Sequence, residues 1–433
     1  MLRTIDLRGR AATPDELLAA VPRAAAARDE ALATAAAIVA DVAARGEAAL
    51  REQAARFDGA SDHAIRVPAD HLDEALDGLD PAVRAALERA IERVRRASAA
   101  QVPPTVVTEV GPGARIEQTW RPVRRVGVYV PGGKAVYPSS VVMNVVPAQV
   151  AGVTQVALAS PPQREHGGRV HPTILAAAKL LGVTEVYAMG GAGAIGAYAH
   201  GVPSLDLARV DVISGPGNNF VALAKRVVAG MVGTDSEAGA TEILVVADDT
   251  ADANLVAADL VSQAEHDEQA AAVLVTASTD LAAAVAQAVV ARAASTRHAD
   301  RVAQALAGPQ SAIVIVDDLA TATAFSNAYA PEHLELHLAD PRPEDYVNAG
   351  AVFVGPWTPV SLGDYLAGSN HVLPTGGQAR YAAGLSASTF LRPQQIITYD
   401  RAALAAVADE IVALSSAEAL PAHGEAVTAR LDD

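Results

Sequence analysis

The side chains best suited to chemistry lie in the second half of the chain. Gln263 and His266 are three residues apart at the end of a segment with helical apolar spacing, so they share one helix face. Glu332 and His333 are adjacent, ahead of an alternating strand pattern. An amide oxygen and an imidazole nitrogen are neutral metal donors, and a carboxylate beside an imidazole suits proton transfer near neutral pH. The two pairs predict half of a metal site and an acid/base site, and each taken alone is also ordinary polar surface.

Further candidate ligands lie closer to the carboxyl terminus. Asp364 lies in the polar segment 363–375 and either supplies an anionic oxygen ligand or caps a turn, and His371 competes with it as a ligand. His423 opens the last helix, as a ligand brought from a distance or as an exposed histidine. His337 falls on the polar face of the strand pattern, so it is expected to be solvated. The remaining histidines lack companions at ligand spacing and are expected to be structural or surface residues: His63, His71, His166, His171, His200 and His298.

Two glycine strings each follow a predicted strand and open a helix. The first, Gly191-Ala-Gly-Ala-Ile-Gly196, reads G-x-G-x-x-G, a turn that lets backbone N–H groups approach a pyrophosphate. A tight Ala/Gly turn is the alternative, because no acidic residue clearly ends a following strand at the distance a ribose requires. The second is Gly215-Pro-Gly-Asn218, in which Asn218 either caps the helix or touches a ligand at its positive end.

Composition narrows the class of protein. The 433 residues suffice for two or three domains, and 51% of them are hydrophobic. A net charge of -17 argues against nucleic acid or an anionic membrane as the main partner, and solubility explains it most simply. The chain has no cysteine, which excludes disulfides, cysteine zinc sites and cysteine nucleophiles. The charged start of the chain does not read as a signal peptide, so a cytoplasmic protein is expected.

The elements that must position these residues alternate between strand and helix. Two helical segments, Glu30–Phe57 and one from Pro81 to about Ala100, come first. Short β-branched runs then alternate with helices, which predicts an α/β fold with parallel sheets covered on both faces. Two such series, before and after about residue 240, indicate two similar domains. The last fifty residues are too few for a core of their own and must pack on the body or on a partner subunit.

With these strings in order, the chain resembles the histidinol dehydrogenases, zinc- and NAD-dependent enzymes that complete histidine biosynthesis. The opening 5–8 is also similar, and the strings run in family order across nearly the whole chain. The matching strings are 125–133, 215–218, 262–266, 332–335, 363–365, 370–375 and 422–423.

The resemblance implies a role for each matching residue. Zn2+, one per subunit, would be bound by Gln263, His266, Asp364 and His423, and Glu332 and His333 would carry the proton transfers. Tyr129, Asn218 and the position of Gly193 would contact NAD. Thr241 and Glu418, together with the zinc ligands and the acid/base pair, would bind the substrate.

The resemblance also implies an architecture and a reaction. Residues 26–128 with 241–380, and residues 129–240, would form two similar incomplete Rossmann-like domains. They would follow an extension at 1–25 and precede a dimerisation tail at 381–433. L-histidinol would be oxidised through L-histidinal to L-histidine in a homodimer whose tails complete each other's sites.

Two positions depart from the family pattern. Gly193 stands where members commonly have Gln beside the cofactor, and Ala240 stands where Pro is usual. Gly193 motivates the alternative of a non-catalytic binding protein. The site residues also leave open a related dehydrogenase acting on another amino alcohol or polar diol, and a zinc hydrolase in which Glu332 acts with a metal-bound water.

Overall fold

We describe a computed structural model that covers residues 2–10, 13–23, 28–132, 136–236 and 239–432. Its strands in chain order are β1 (Arg3–Asp6), β2 (Val106–Gly111), β3 (Ala114–Pro122), β4 (Arg125–Tyr129), β5 (Gln155–Ser160), β6 (Glu185–Ala188), β7 (Val212–Ser214), β8 (Gly233–Thr234), β9 (Glu242–Ala247), β10 (Ala271–Thr276), β11 (Ala312–Ile315), β12 (His333–His337), β13 (Ala351–Val354) and β14 (Leu391–Tyr399).

The helices occupy most of the segments between these strands. In chain order they are α1 (Pro14–Ala20), α2 (Arg28–Arg45), α3 (Glu47–Gln53), α4 (Ala69–Asp77), α5 (Pro81–Ala99), α6 (Pro138–Ala151), α7 (Pro172–Leu180), α8 (Gly191–His200), α9 (Asn219–Val228), α10 (Ala253–Ala264), α11 (Thr279–Ser295), α12 (Ala299–Ala307), α13 (Leu319–Tyr329), α14 (Val360–Tyr365), α15 (Arg401–Ala405), α16 (Ala408–Ala417) and α17 (Pro421–Thr428). None of the helices in the described ranges is long and apolar enough to cross a membrane.

Sheet A is parallel and has the order β1-β11-β10-β9-β12-β13 within the described residues. The chain moves outward from β9 to β11 and then returns to the other side of β9, so its direction reverses between β9 and β12. Parallel pairing sets His333, the first residue of β12, opposite Ile243, the second residue of β9. The register therefore brings the predicted acid/base pair beside Thr241 and Glu242.

Sheet B repeats this topology with the order β6-β5-β4-β7-β8. The direction of the chain reverses between β4 and β7. Tyr129 lies at the carboxyl end of β4, and the Gly215–Asn218 string follows the carboxyl end of β7. In open α/β sheets a ligand crevice forms outside the carboxyl ends of the strands at such a reversal. The central strands of both sheets are buried apolar runs, as parallel strands covered by helices on both faces require.

Sheet C is a three-stranded antiparallel sheet with the order β14-β3-β2. Nearly all residues of β2 and β14 are exposed. The helices α15, α16 and α17 follow β14 and pack on one another in sequence.

The α/β prediction is confirmed, and two helices differ from the sequence pattern. The segment predicted as one helix over Glu30–Phe57 divides at Gly46, whose φ of 55° ends α2 and whose lack of a Cβ permits that conformation. The sequence pattern also predicts a helix over 218–232, whereas α9 ends at Val228, because Ala229 is extended and Gly230 has a φ of 91°.

The predicted domain limits stay a prediction. The pairing of β1 and the packing of α2 show which sheet each of these two elements joins. β1 lies within the predicted 1–25 extension and pairs with β11 of sheet A. α2 lies within the predicted 26–128 segment and packs on α8 and α9, which accompany sheet B. The strands of sheet B span residues 125–234, and those of sheet A span 3–6 and 242–354.

Candidate active site

Glu332 is buried at the start of β12, not solvated in a loop, with 6% of its surface exposed. Its Oε2 accepts hydrogen bonds from Thr241 Oγ1 at 2.6 Å and from the Glu242 backbone N–H at 2.9 Å. Burial raises the pKa of the Glu332 carboxyl, and the neighbouring His333 opposes that shift. A buried carboxyl with a raised pKa is suited to exchanging protons near neutral pH.

His333 is held in one orientation by the adjacent strand. Its Nδ1 lies 3.0 Å from the Glu242 carbonyl oxygen, and because a carbonyl can only accept, Nδ1 must carry the proton in the neutral ring. Nε2 is then the basic nitrogen. It is buried and has no hydrogen-bond partner in the described part of the chain. The imidazole therefore presents a proton acceptor to the site.

Gln263 joins the acid/base pair through Thr241. Its Nε2 donates to Thr241 Oγ1 at 2.6 Å, and that hydroxyl donates in turn to Glu332. Gln263 is 1% exposed, and its Oε1 has no partner among the described residues. His266, one turn further along, directs Nδ1 to the Gln263 carbonyl oxygen at 3.3 Å. An amide oxygen and an imidazole Nε2 therefore remain as possible ligand atoms.

His371 is already engaged, which weakens it as a competing ligand. Its Nδ1 donates to the Asp364 carbonyl oxygen at 2.9 Å, and its Nε2 lies 3.2 Å from Ser140 Oγ on α6. Burial lowers its pKa, the Asp364 carboxylate opposes this, and His333 and His266 act with burial. The Asp364 carbonyl contacts this imidazole, and His266 and His333 are near enough to influence its pKa, so the three residues belong to one region.

The two candidate residues of the tail differ from the residues of this region in their exposure to solvent. Glu418 and His423 are exposed, at the end of α16 and in α17. In the residues that the structure describes, His266, Asp364 and His423 are not part of any group of three His, Asp or Glu side chains with ligand atoms within 4.8 Å. The four predicted zinc ligands therefore do not converge within one chain.

The group that does converge is Asp259, Glu335 and His337, and it corrects the expectation for His337. His337 is 5% exposed, with Nε2 3.4 Å from Glu335 Oε2 and 4.0 Å from Asp259 Oδ2. Alternation failed as a guide because β12 lies inside a parallel sheet, where both faces are covered. Burial raises the pKa of Asp259 to about 7, and the Glu335 carboxylate reinforces the shift. The group is distinct from the predicted zinc ligands.

Tyr129 and Asn218 lie at the direction reversal of sheet B. The Tyr129 hydroxyl accepts a hydrogen bond from the Gly191 N–H at 3.1 Å, and burial raises its pKa to about 12. Asn218 caps α9, its Oδ1 accepting from the N–H groups of Phe220 and Val221. Its side chain is exposed at the positive end of that helix, where an anion is favoured.

A buried ion pair fixes the Gly215 turn beside Tyr129. Lys225 Nζ donates to the Gly215 carbonyl and to Asp235 Oδ1, both at 2.5 Å, and Asp235 Oδ2 accepts from the Gly215 N–H at 2.7 Å. Gly215 has a φ of 115°, and a Cβ there would overlap the Tyr129 carbonyl oxygen. Glycine is therefore required where this turn meets β4.

The G-x-G-x-x-G string serves helix packing. It follows β6 and lies inside α8. A Cβ on Gly193 would overlap the Gln53 side chain of α3, and one on Gly196 would lie 3.2 Å from the Val39 Cα of α2. The glycines thus allow α8 to approach two neighbouring helices.

Comparisons with known proteins agree along the whole chain. A family model described as histidinol dehydrogenase matches residues 21–431. The histidinol dehydrogenase of Leifsonia xyli is 64% identical over 434 residues and covers 100% of both chains. That of Thermobifida fusca is 55% identical, with 100% of this chain and 98% of the relative covered. The chain belongs to the histidinol dehydrogenase family. The crystal structure of histidinol dehydrogenase from Elizabethkingia anophelis matches with a TM-score of 0.93 at 31% identity, covering 99% of this chain and 98% of the other.

Membership of the histidinol dehydrogenase family makes the protein an oxidoreductase of histidine biosynthesis, whose last step the family catalyses. Nothing in these comparisons supports the alternative of a related dehydrogenase with another substrate.

Sequence reasoning missed the ion pair of Arg23 and Glu242, which supports the site. Arg23 Nε donates to Glu242 Oε1 at 2.5 Å, its guanidinium also bonds the Tyr329 carbonyl oxygen, and it lies 4.0 Å above the Tyr329 ring. This contact secures the strand start that holds Glu332 and His333. Because 219 residues separate Arg23 from Glu242, no local spacing signals the pair.

Proposed function

We propose that the protein oxidises L-histidinol through L-histidinal to L-histidine with two molecules of NAD, using one zinc ion per subunit. The supporting observation is the hydrogen-bonded series Gln263–Thr241–Glu332, beside which Gln263 Oε1 and His333 Nε2 are both buried without a described partner. Buried polar atoms of this kind indicate a bound group that satisfies them. We place the reaction in the cytoplasm, as befits amino-acid biosynthesis.

The donor set fits zinc. Gln263 Oε1, His266 Nε2 and an Asp364 carboxylate oxygen would hold it from one chain, with His423 of the partner subunit as the fourth ligand. Such N and O donors are typical of zinc. Bound zinc would fix the substrate's nitrogens and polarise its reacting group. Thr241 supports the set by holding the Gln263 amide, so that Oε1 faces away from the Thr241 hydroxyl.

The crevice at the carboxyl edge of sheet B fits NAD. Tyr129 and Asn218 would contact it there, and the fixed Gly215 turn keeps the crevice open for a close backbone approach. Bound NAD accepts one hydride in each oxidation. Tyr137, which precedes α6, interacts electrostatically with Asp364, so the end of this crevice borders the acid/base region.

His333 and Glu332 divide the proton transfers. His333 Nε2 accepts the hydroxyl proton of the alcohol as its carbon loses hydride, giving the aldehyde. Glu332 takes a proton from the water that adds to the aldehyde, for which we assign Oε1 because both hydrogen bonds fall on Oε2. As the water adds, the carbonyl oxygen takes the proton held on His333, which returns the imidazole to its neutral form. His333 then accepts a proton from the resulting hydrate as the second hydride leaves. Holding the aldehyde between the steps protects a reactive intermediate.

The proposal includes a homodimer with shared sites. β2 exposes Val106, Val107 and Val110, and β14 exposes Ile396 and Ile397. Exposed apolar side chains on the two outer strands of sheet C favour an interface there. A partner seated there would place Glu418 and His423, which are exposed in one chain, within reach of the other chain's site. Glu418 would then bind the substrate's polar groups together with Thr241.

The first experiment is the yield of NADH per L-histidinol for zinc-loaded protein with excess NAD. We expect two NADH and one L-histidine per substrate. One NADH with released aldehyde would contradict the second oxidation. No NADH, with zinc bound, would contradict the proposed dehydrogenase activity on L-histidinol.

A further inference from the structure

Gln53 lies at the border of the crevice described for NAD. It ends α3, which packs on α8 through the buried Ala49 and Leu50. α8 begins at Gly191, whose N–H donates to the Tyr129 hydroxyl, and its N-cap residue Gly190 provides no side-chain cap. The π-helical turn that follows Gln53 ends at Asp58, which interacts electrostatically with Tyr129. Gln53 is thus close to the first turn of α8, the turn whose Gly191 contacts Tyr129.

The Gln53 amide occupies the volume that a side chain at position 193 would need. A Cβ on Gly193 would overlap Gln53 Oε1, and would lie 3.2 Å from Gln53 Cδ and 3.3 Å from Leu50 Cδ2. Residue 193 is buried inside α8, so the helix cannot easily move away. Glycine at 193 and glutamine at 53 are therefore complementary in shape.

Packing explains why the Gln53 side chain fills this volume, but it does not explain why that side chain carries amide hydrogens. Gln53 Nε2 is buried and has no hydrogen-bond partner among the described residues. A buried donor without an acceptor lowers stability, and an apolar side chain of the same length would fill the space without that cost. The donor is consistent with an acceptor that arrives with a ligand.

We propose that Gln53 is a cofactor-binding residue, whose Nε2 donates a hydrogen bond to an acceptor oxygen of bound NAD. An amide from α3 then takes the place that a side chain on α8 would occupy if residue 193 were larger. This inference rests on the proposed use of NAD. It explains why Gly193 is compatible with cofactor binding in this chain.

The test compares Gln53→Met, which keeps the length and removes the donor, with the wild type. NAD affinity is measured by fluorescence titration, and zinc content and the KM for L-histidinol are measured alongside. We expect NAD binding about tenfold weaker, the loss of one hydrogen bond to a buried donor, with zinc content and the KM for L-histidinol unchanged. Gln287→Met, at an exposed position of α11, is the matched control and should bind NAD like the wild type.

A second pair of variants keeps the test independent of folding. Gly193→Gln alone should bind NAD poorly, because the new side chain overlaps Gln53. Combined with Gln53→Ala, it should recover NAD affinity to within about threefold of the wild type. Titration with ADP-ribose then shows which half of NAD carries the acceptor, since only an acceptor in that half makes Gln53→Met weaken ADP-ribose binding.

Two outcomes separate this inference from the proposed function. If wild-type protein does not bind NAD, the proposed function fails. If the wild type binds NAD and Gln53→Met binds it within about twofold, the amide has no role in binding and the inference is wrong.

Discussion

Glu332 and His333 are adjacent, and their hydrogen-bond partners suit them to the different tasks that we propose. Glu332 accepts two hydrogen bonds on Oε2, and burial raises its pKa. His333 commits Nδ1 to the Glu242 carbonyl and keeps Nε2 as an acceptor. A carboxyl that readily exchanges protons suits water activation, whereas a fixed neutral imidazole suits removal of the alcohol proton.

Glu332→Gln therefore separates the two oxidations. The amide oxygen can still accept from Thr241, so the geometry is retained while the base is lost. We expect oxidation of L-histidinal to slow by roughly 100-fold or more, and alcohol oxidation to slow much less. Single-turnover NADH formation from each substrate measures the difference. Equal losses in the two reactions would show that Glu332 has no separate role in activating water.

The raised pKa of Asp259 predicts how the stability of the protein depends on pH. Its pKa is raised from 3.8 to about 7 in the folded protein, so the folded state binds this proton more tightly than the unfolded chain does. The stabilisation is complete below about pH 4 and is lost as the pH rises through about 7. Between pH 5 and 8 the wild type should thus lose more stability than Asp259→Asn, which cannot titrate. Parallel Tm curves for the two proteins would contradict the assignment.

At the scale of elements, the strands and helices are predictable because their signals are local. β-branched runs bounded by Gly, Pro and Asp mark the strands of both sheets, and Asn218 is recognisable as a helix cap. The burial of His337 cannot be predicted from local signals, because the alternating pattern of β12 does not reveal that Asp259 of α10 lies against it. Gln53 and Arg23 likewise act through residues far away in the chain, where no spacing rule applies.

The Gly215 turn depends on the buried Lys225–Asp235 pair, whose side chains are 2% and 3% exposed. Lys225→Met would leave the Asp235 charge unpaired, and breaking a buried pair in this way costs about 3–5 kcal/mol. Denaturant unfolding should show that loss, and NAD binding should weaken because the turn forms one wall of the crevice.

Lys179→Met is the matched control for this substitution. Lys179 pairs with Asp73 at the surface, where the side chains are 34% and 57% exposed, and such pairs contribute about 1 kcal/mol or less. Equal unfolding midpoints for the two variants would show that Lys225 does not maintain the turn.

At the scale of the whole molecule, sheets A and B have the same topology but contribute opposite strand ends to the proposed site. Sheet B presents the carboxyl ends of β4 and β7, and sheet A presents the amino ends of β9 and β12. The segment after α14 joins them, since Asn370 Nδ2 donates to the Met143 carbonyl and His371 contacts Ser140, both on α6. In the proposed function, the cofactor and the acid/base groups would meet between the sheets, and a partner's tail would cover the site.

A shared site predicts complementation between two inactive variants. His333→Ala disables the core of a site and His423→Ala disables the tail, so each homodimer should form no NADH. In a hybrid dimer, the His423→Ala subunit keeps an intact core and the His333→Ala subunit supplies it with an intact tail. Hybrids isolated through two different affinity tags should regain about half of the wild-type activity, because one of two equivalent sites is complete. An inactive hybrid that still binds zinc would mean that each chain builds its site alone.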